Sequence, residues 1–286
     1  MSDHPHNGGD TPHVLYSVQD GVAIITLNRP DQLNPISHGP GSMQGEITER
    51  LEEADLDDGV GCVIITGAGR AFSAGGPIGK SVPPATGLDW YKFLKQEDAD
   101  NERIRELSKP VIGAINGLCY GAAFMMAVHF DLLVASEEAR FGLIETRFGG
   151  TGAEALNYLL GPQMAKFMAL TGELITARKA KEIGLVLEVV AHAELMSRAQ
   201  DLGRRIASMP RDTMLMNRRM INEGMNATGW TAQKQTGLAM NSVVNSGFKE
   251  HRAWNGERFS DLLQEGWQRY KEVRDAPFKD PWLKAD

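Results

Sequence analysis

The sequence predicts an α/β protein in which a mainly parallel sheet is followed by a helical C-terminal region. Three observations carry this reading. Apolar β-rich runs alternate with helix-period stretches through the first two-thirds of the chain, the pattern of right-handed βαβ units. From about residue 191 the chain reads as one helix after another. With 286 residues, 42% of them hydrophobic, it can bury one large core or a core plus a smaller unit. The expected division is a disordered leader at 1–13, an α/β core at 14–190 and a helical region at 191–286.

The elements follow in order. The leader MSDHPHNGGDTPH is polar and rich in Gly and Pro, and has no apolar stretch of a signal peptide. Residues 14–18 and 22–27 read as strands joined by Gln19-Asp20-Gly21, a hairpin signal. Met43, Ile47, Leu51 and Ala54 recur at helical spacing and predict a helix over 43–56. A β-rich run at 60–66 ends at Gly67-Ala68-Gly69. A helix is expected over 88–107, then strands at 110–116 and 132–135. Later helices are expected at 196–209, 211–226, 231–244 and 258–274. These last carry more apolar residues than a solvent-facing helix needs, so they dock on the core or on other subunits.

Composition excludes several classes. A formal charge of −7 argues against a general binder of nucleic-acid backbones. The two cysteines, Cys62 and Cys119, match no metal or redox spacing and read as buried thiols in a reducing compartment. The seven histidines include no pair at helical ligand spacing, so no metal site is expected. The longest purely apolar run, 122–128, is too short to span a bilayer, and the protein is expected to be cytoplasmic with no membrane partner.

One corner stands out. Gly121-Ala122-Ala123 feeds directly into bulky apolar residues. Small residues there either let a buried helix pack tightly or let a ligand reach a backbone N–H that the first helical turn leaves without a partner. A second Gly-rich corner, Ala74-Gly75-Gly76, is open to the same pair of readings.

Five stretches then occur in order: GVAIITLNRPDQLNPIS, VGCVIITGAGRAFSAGGPIG, KPVIGAINGLCYGAAF, FDLLVASEEARFGLIE and EGWQRYKEVRDAPF. Together they resemble the crotonase (enoyl-CoA hydratase/isomerase) superfamily over about residues 14–280. The resemblance implies a ββα spiral core with a helical C-terminal trimerisation region, assembled as a homotrimer or a dimer of trimers. It implies acyl-CoA thioester substrates, with coenzyme A part of the substrate and no separate cofactor. The shared step is stabilisation of a thioester enolate by two backbone N–H groups, which by motif position are those of Gly76 and Ala122. Pro77 stands where the family commonly has Asp.

Family hydratases commonly use two glutamates. The one that ends FG-x-x-E is matched by Glu145, whereas the other position holds Met125. Hydration divides two proton tasks between two carboxylates, while one carboxylate suffices for a 1,3-proton shift. The resemblance therefore implies a single-glutamate enzyme, either a double-bond isomerase or a variant akin to hydroxycinnamoyl-CoA hydratase-lyases. Tyrosine, which the latter place in the C-terminal helices, is absent from residues 231–246. Glu154 is a second carboxylate candidate, with helix capping as its alternative role. Met125 lines the acyl pocket in this reading, and Trp90, Tyr91 and Phe93 form its wall or simply pack the core. Arg29 matches a position near the nucleotide end of CoA, Phe278 and Lys279 match a C-terminal segment that commonly reaches a neighbouring subunit's ligand, and Ala74 and Ile78 match backbone positions that hold adenine. Either cation is equally a solvated surface charge.

Three other readings compete. Met125 and Pro77 leave room for a catalytically weak or inactive acyl-CoA-binding relative. A dinucleotide-binding loop at VIITGAG fails because Phe72 stands at its third glycine. A serine hydrolase of related fold fails because Phe124-Met125 offers no nucleophile.

Overall fold

The computed structural model describes residues 12–39, 41–77 and 84–283. It opens with a hairpin, β1 (Val14–Gln19) and β2 (Val22–Leu27), whose turn residues Asp20 and Gly21 have φ of 51° and 76°. Positive φ at both positions gives a turn whose twist matches that of the strands. Helix α1 (Met43–Leu56) follows, its N-terminus capped by Ser42 Oγ, which accepts from Gly45 N.

From here the chain winds in repeated turns, each giving one strand to each of two sheets. The pairs are β3 (Cys62–Gly67) with β4 (Ala71–Ser73), β5 (Val111–Ile115) with β6 (Leu118–Tyr120), and β7 (Leu132–Ser136) with β8 (Arg140–Gly142). Helix α2 (Gly87–Glu106) lies between the first and second turns, and α3 (Ala122–Ala127) follows β6. After α4 (Leu156–Thr171) come β9 (Ile175–Thr176), α5 (Ala177–Glu182) and β10 (Glu188–Val190). The larger sheet has the order β1-β2-β3-β5-β7-β10, parallel beyond its opening hairpin. The smaller has the order β4-β6-β8-β9, with only β9 antiparallel. Strands β3 and β5 are buried along their length, as expected when both sheet faces are covered.

The C-terminal region contains α6 (Leu195–Ala207), α7 (Arg211–Ala227), α8 (Trp230–Ser246), α9 (Phe259–Glu265) and α10 (Trp267–Asp275). The single helix expected over 258–274 is two helices. Gly266 separates them with φ 124° and ψ 158°, a conformation that stops a helix and favours glycine. Arg218 of α7 binds the end of α2: its guanidinium donates to the carbonyls of Leu107 (2.5 Å) and Ile104 (2.7 Å), and to Asp131 Oδ1 (2.6 Å). The orphan carbonyls at the α2 C-terminus are thereby satisfied by a cation, and α7 is fixed against the core. Helix α8 then packs along α2. Among the described residues no helix is long and apolar enough to cross a membrane.

Cys62 and Cys119 are free and fully buried, as expected, and burial pushes the Cys62 thiol up to about 12.

Candidate functional site

A cavity of about 530 Å³ opens where the two Gly-rich corners meet, beside the packed pair α2 and α8. Its position follows from the winding. Tyr120 of β6 pairs with Gly142 of β8, which sets the segment after β8 beside the corner after β6. Gly75 lies close to that corner too, since a β-carbon on it would stand 2.7 Å from Tyr120 O and 3.4 Å from Ala122 N. Its φ of 90° and this close approach together require glycine.

The hydrogen bonds of the first corner single out one amide. Ala74 N donates to Leu33 O (3.0 Å) and Gly75 N to Ser73 Oγ (3.1 Å), while Gly75 O accepts from Ile36 N (2.9 Å). Gly76 comes next along the chain and lines the cavity. Buried Asn34 anchors the base of this loop, its side-chain amide donating to the carbonyls of Ala68, Ala71 and Phe72. At the second corner Gly121 N donates to Gly142 O (3.0 Å). Ala122 is the first residue of α3, where an amide has no acceptor within its own helix, and it too lines the cavity.

Glu145 enters the same cavity from a short 3-10 turn, Ile144–Phe148. Its backbone carbonyl accepts from Gly150 N (2.8 Å), folding the Gly-rich segment back over its side chain. Three glycines form the cage. A β-carbon would meet Glu145 Oε2 at 3.1 Å from Gly121, Oε1 at 3.0 Å from Gly152, and Glu145 Cβ at 2.7 Å from Gly150. Oε2 is buried and has no hydrogen-bond partner among the described residues. Burial pushes the carboxyl up to about 8, with the charges of Glu97 and Glu154 adding to the rise. A carboxyl poised near neutrality in a cleft can both take and return a proton.

One wall is built by two helices. On α2 the residues Trp90, Phe93, Leu94, Glu97, Asp98 and Asn101 face inward, and on α8 Lys234, Leu238, Asn241 and Asn245 do so. Both sets follow the helical repeat. Lys234 ties the helices to the turn after α3: its ammonium contacts Asp98 Oδ1, Glu102 Oε1 (3.1 Å) and His129 Nε2 (2.6 Å). His129 Nδ1 in turn pairs with Met125 O (2.7 Å), which fixes the tautomer that donates there and accepts from Lys234. Burial holds His129 below the usual histidine range. Asp98, Glu102 and His129 bring ligand atoms within 4.8 Å of one another, but the Lys234 ammonium already serves them as the cation.

Of the residues expected at the site, Glu145, Gly76, Ala122, Ala74, Met125 and Trp90 all line the cavity. Glu154 does as well, and it does not cap α4, whose N-cap residue is Ala155 with no side-chain cap bond. Arg29 lies elsewhere, donating to the carbonyls of Pro12 (3.1 Å) and Asn28 (3.0 Å). Phe278 packs under the Arg147 guanidinium at 4.1 Å, and Lys279 beside it is exposed; neither lines the cavity. Ile78 lies outside the described residues. Glu97, Asn101, Asn241, Asn245 and the Lys234 cluster were not anticipated. The available signal was a polar stripe at helical spacing on segments otherwise read only for their apolar residues.

Comparison with known proteins agrees with this geometry. The family model described as Enoyl-CoA hydratase/isomerase matches residues 17–281. A mitochondrial enoyl-CoA hydratase of Pongo abelii is 31% identical over 265 residues, which is 91% of this chain and 84% of that protein. A 1,2-epoxyphenylacetyl-CoA isomerase of Escherichia coli is 32% identical over 216 residues, 73% of this chain and 81% of its own length. The crystal structure of an enoyl-CoA hydratase/isomerase from Xanthobacter autotrophicus Py2 superposes with a TM-score of 0.85 at 30% identity, covering 94% of this chain and 99% of that one. With its spiral of paired strands and a family match over nearly its whole length, the chain belongs to the enoyl-CoA hydratase/isomerase family of the crotonase superfamily.

Proposed function

We propose that this protein binds an enoyl-CoA thioester and shifts its double bond by way of an enolate, with Glu145 as the single proton carrier. The observation that carries the reading is the caged Glu145 carboxyl in one cavity with the Gly76 and Ala122 amides, while Met125 holds the place of a second glutamate. The thioester oxygen sits between the two amides. They stabilise the negative charge that grows on it as the α-carbon loses its proton. Ionised Glu145 takes that proton, the C–H electron pair moves into the dienolate, and the carboxylic acid returns the proton at the γ-carbon. The 3-enoyl thioester becomes the 2-enoyl thioester with no atom gained or lost. Coenzyme A enters with the substrate, and no further cofactor takes part.

Glu154, in the same cavity, favours a second reading. Its carboxyl would serve as the partner that water addition, or a hydratase-lyase step, requires. Isomerisation remains the first reading because one caged carboxyl is sufficient for it.

The assembly belongs to the proposal as well. Met216, Met220 and Ile221 of α7 and Met240 and Val243 of α8 are exposed apolar residues, which a homotrimer or dimer of trimers would cover.

Turnover of 3-enoyl- and 2-enoyl-CoA thioesters in deuterium oxide tests the reading. Isomerisation with deuterium entering at the reacting carbons is expected. Water addition to the 2-enoyl thioester without isomerisation would favour the second reading, and no conversion or exchange with any thioester would refute both.

A further inference from the structure

The wall that α2 and α8 present to the cavity sets a row of polar side chains beside its apolar ones. From α2 come Glu97 and Asn101, from α8 Asn241 and Asn245, and from the segment before α4 comes Glu154. Their hydrogen bonding is incomplete. Among the described residues, none makes a hydrogen bond to the side chains of Glu97 or Asn101, and the Glu154 carboxylate is bonded only by its own backbone. The nearest charged partner of Glu97 is His38 Nε2, at 3.9 Å. Asn241 accepts from the Asn245 amide at its carbonyl oxygen, which leaves the Asn241 amide for the cavity. Both asparagines are nearly buried, Asn101 6% and Asn241 8% exposed. Polar groups without a protein partner are bonded by water or by a ligand, so a row of them facing a cavity suits a ligand that carries matching groups.

We propose that the acyl group carries a neutral hydrogen-bonding substituent, a hydroxyl or carbonyl beyond the reacting carbons, and that Glu97, Glu154, Asn101 and Asn241 bind it. This rests on the acyl-CoA reading above and specifies its substrate class. Charge considerations agree. Burial raises Glu97 and Glu154 alike, and Glu154 raises Glu97 further although His38 opposes this, so a further negative charge beside them is disfavoured. An anionic substituent would meet carboxyls on two sides and the Glu145 carboxyl nearby. The ammonium of Lys234 offers it no charge, being engaged by Asp98 and Glu102. A plain alkyl chain would displace water and leave these groups unpaired. Sites built to bond a polar group reject the analogue that lacks it far more strongly than they sense one methylene. Trp90, Phe93 and Leu238 on the same helix faces give the apolar section that packs the rest of the acyl chain.

The test uses the full-length protein and three 3-enoyl-CoA thioesters of equal chain length, ending in methyl, hydroxyl or carboxylate. Turnover is measured for each, and binding separately by calorimetry. The hydroxylated thioester is expected to exceed the methyl one by about a hundredfold or more in kcat/KM, with the carboxylate weakest. In Asn241→Leu the preference for hydroxyl should shrink at least about tenfold while the methyl thioester is still turned over. Equal or better turnover of the methyl thioester by the wild-type protein would overturn the inference and leave the acyl-CoA reading standing. Failure of all three to bind would overturn both. Because the wild-type preference decides the matter, a poorly folding Asn241→Leu protein would not obscure it.

Discussion

A β-carbon on Gly121 would stand 3.1 Å from Glu145 Oε2, so the corner beside the Ala122 amide also forms one side of the carboxyl cage. Gly121 additionally holds φ at 55°, where other residues are strained. Gly121→Ala should therefore lose both activity and stability. Gly152→Ala separates the effects, because its β-carbon would crowd Oε1 at 3.0 Å with no positive φ at that position. It should lower kcat/KM about tenfold or more with a smaller loss in melting temperature. Unchanged kinetics in Gly152→Ala would mean that the cage does not position the carboxyl.

The Glu145 carboxyl, pushed up to about 8, predicts a pH profile. If the ionised form is the base, kcat/KM rises about tenfold per pH unit below 8 and levels above it. Stability runs the other way. The folded value lies above the ordinary 4.5, so the stability from the protonated carboxyl is fully present below about 4.5 and is lost as pH rises through about 8. Glu145→Gln lacks this dependence. Its melting temperature relative to wild type should rise between pH 5 and pH 9, and a constant difference would contradict the buried, protonated state.

At the first position of α3, Ala122→Val keeps the amide and crowds whatever binds it. Activity is expected to fall about a hundredfold, the scale of losing one oxyanion donor, with little change in melting temperature. Parallel loss of both would make the corner a packing feature.

Lys234 joins α8 to α2 and to the turn after α3 through Asp98, Glu102 and His129. Burial disfavours ionised Glu102, yet the Lys234 ammonium and the Trp230 N–H hold its carboxyl well below the usual range. Lys234→Met strands two carboxylates and should destabilise the fold by about 3–5 kcal/mol in chemical denaturation. Adding Glu102→Gln should recover part of that loss. No recovery would show that Lys234 acts by packing alone.

Much of the core was legible because its signals are local. The period of Met43, Ile47, Leu51 and Ala54 gives α1 (Met43–Leu56), and Asp20-Gly21 gives the first hairpin. The second sheet was not, since β4, β6 and β8 have three residues each and derive their pairing from the winding rather than from a pattern. Helix α4 hides its period at Gly161 and Pro162, where Gly161 turns to φ 67°. The corners and Glu145 were legible as motifs. Their meeting in one cavity arises from the pairing of Tyr120 with Gly142 and the approach of Gly75 to Tyr120, and the polar faces of α2 and α8 meet through residues still farther apart in the chain, such as Lys234 with Asp98.

In the proposed reaction Glu145 carries the proton. The measurement that tests it most directly compares wild type and Glu145→Gln on the best enoyl-CoA substrate, with thioester binding measured alongside turnover. The amide keeps the shape of the carboxyl but cannot accept the α-proton, so the rate should fall about a hundred- to ten-thousand-fold while the dissociation constant changes little. A Glu145→Gln protein that retains turnover and deuterium exchange at the α-carbon would contradict the account and move the search to Glu154.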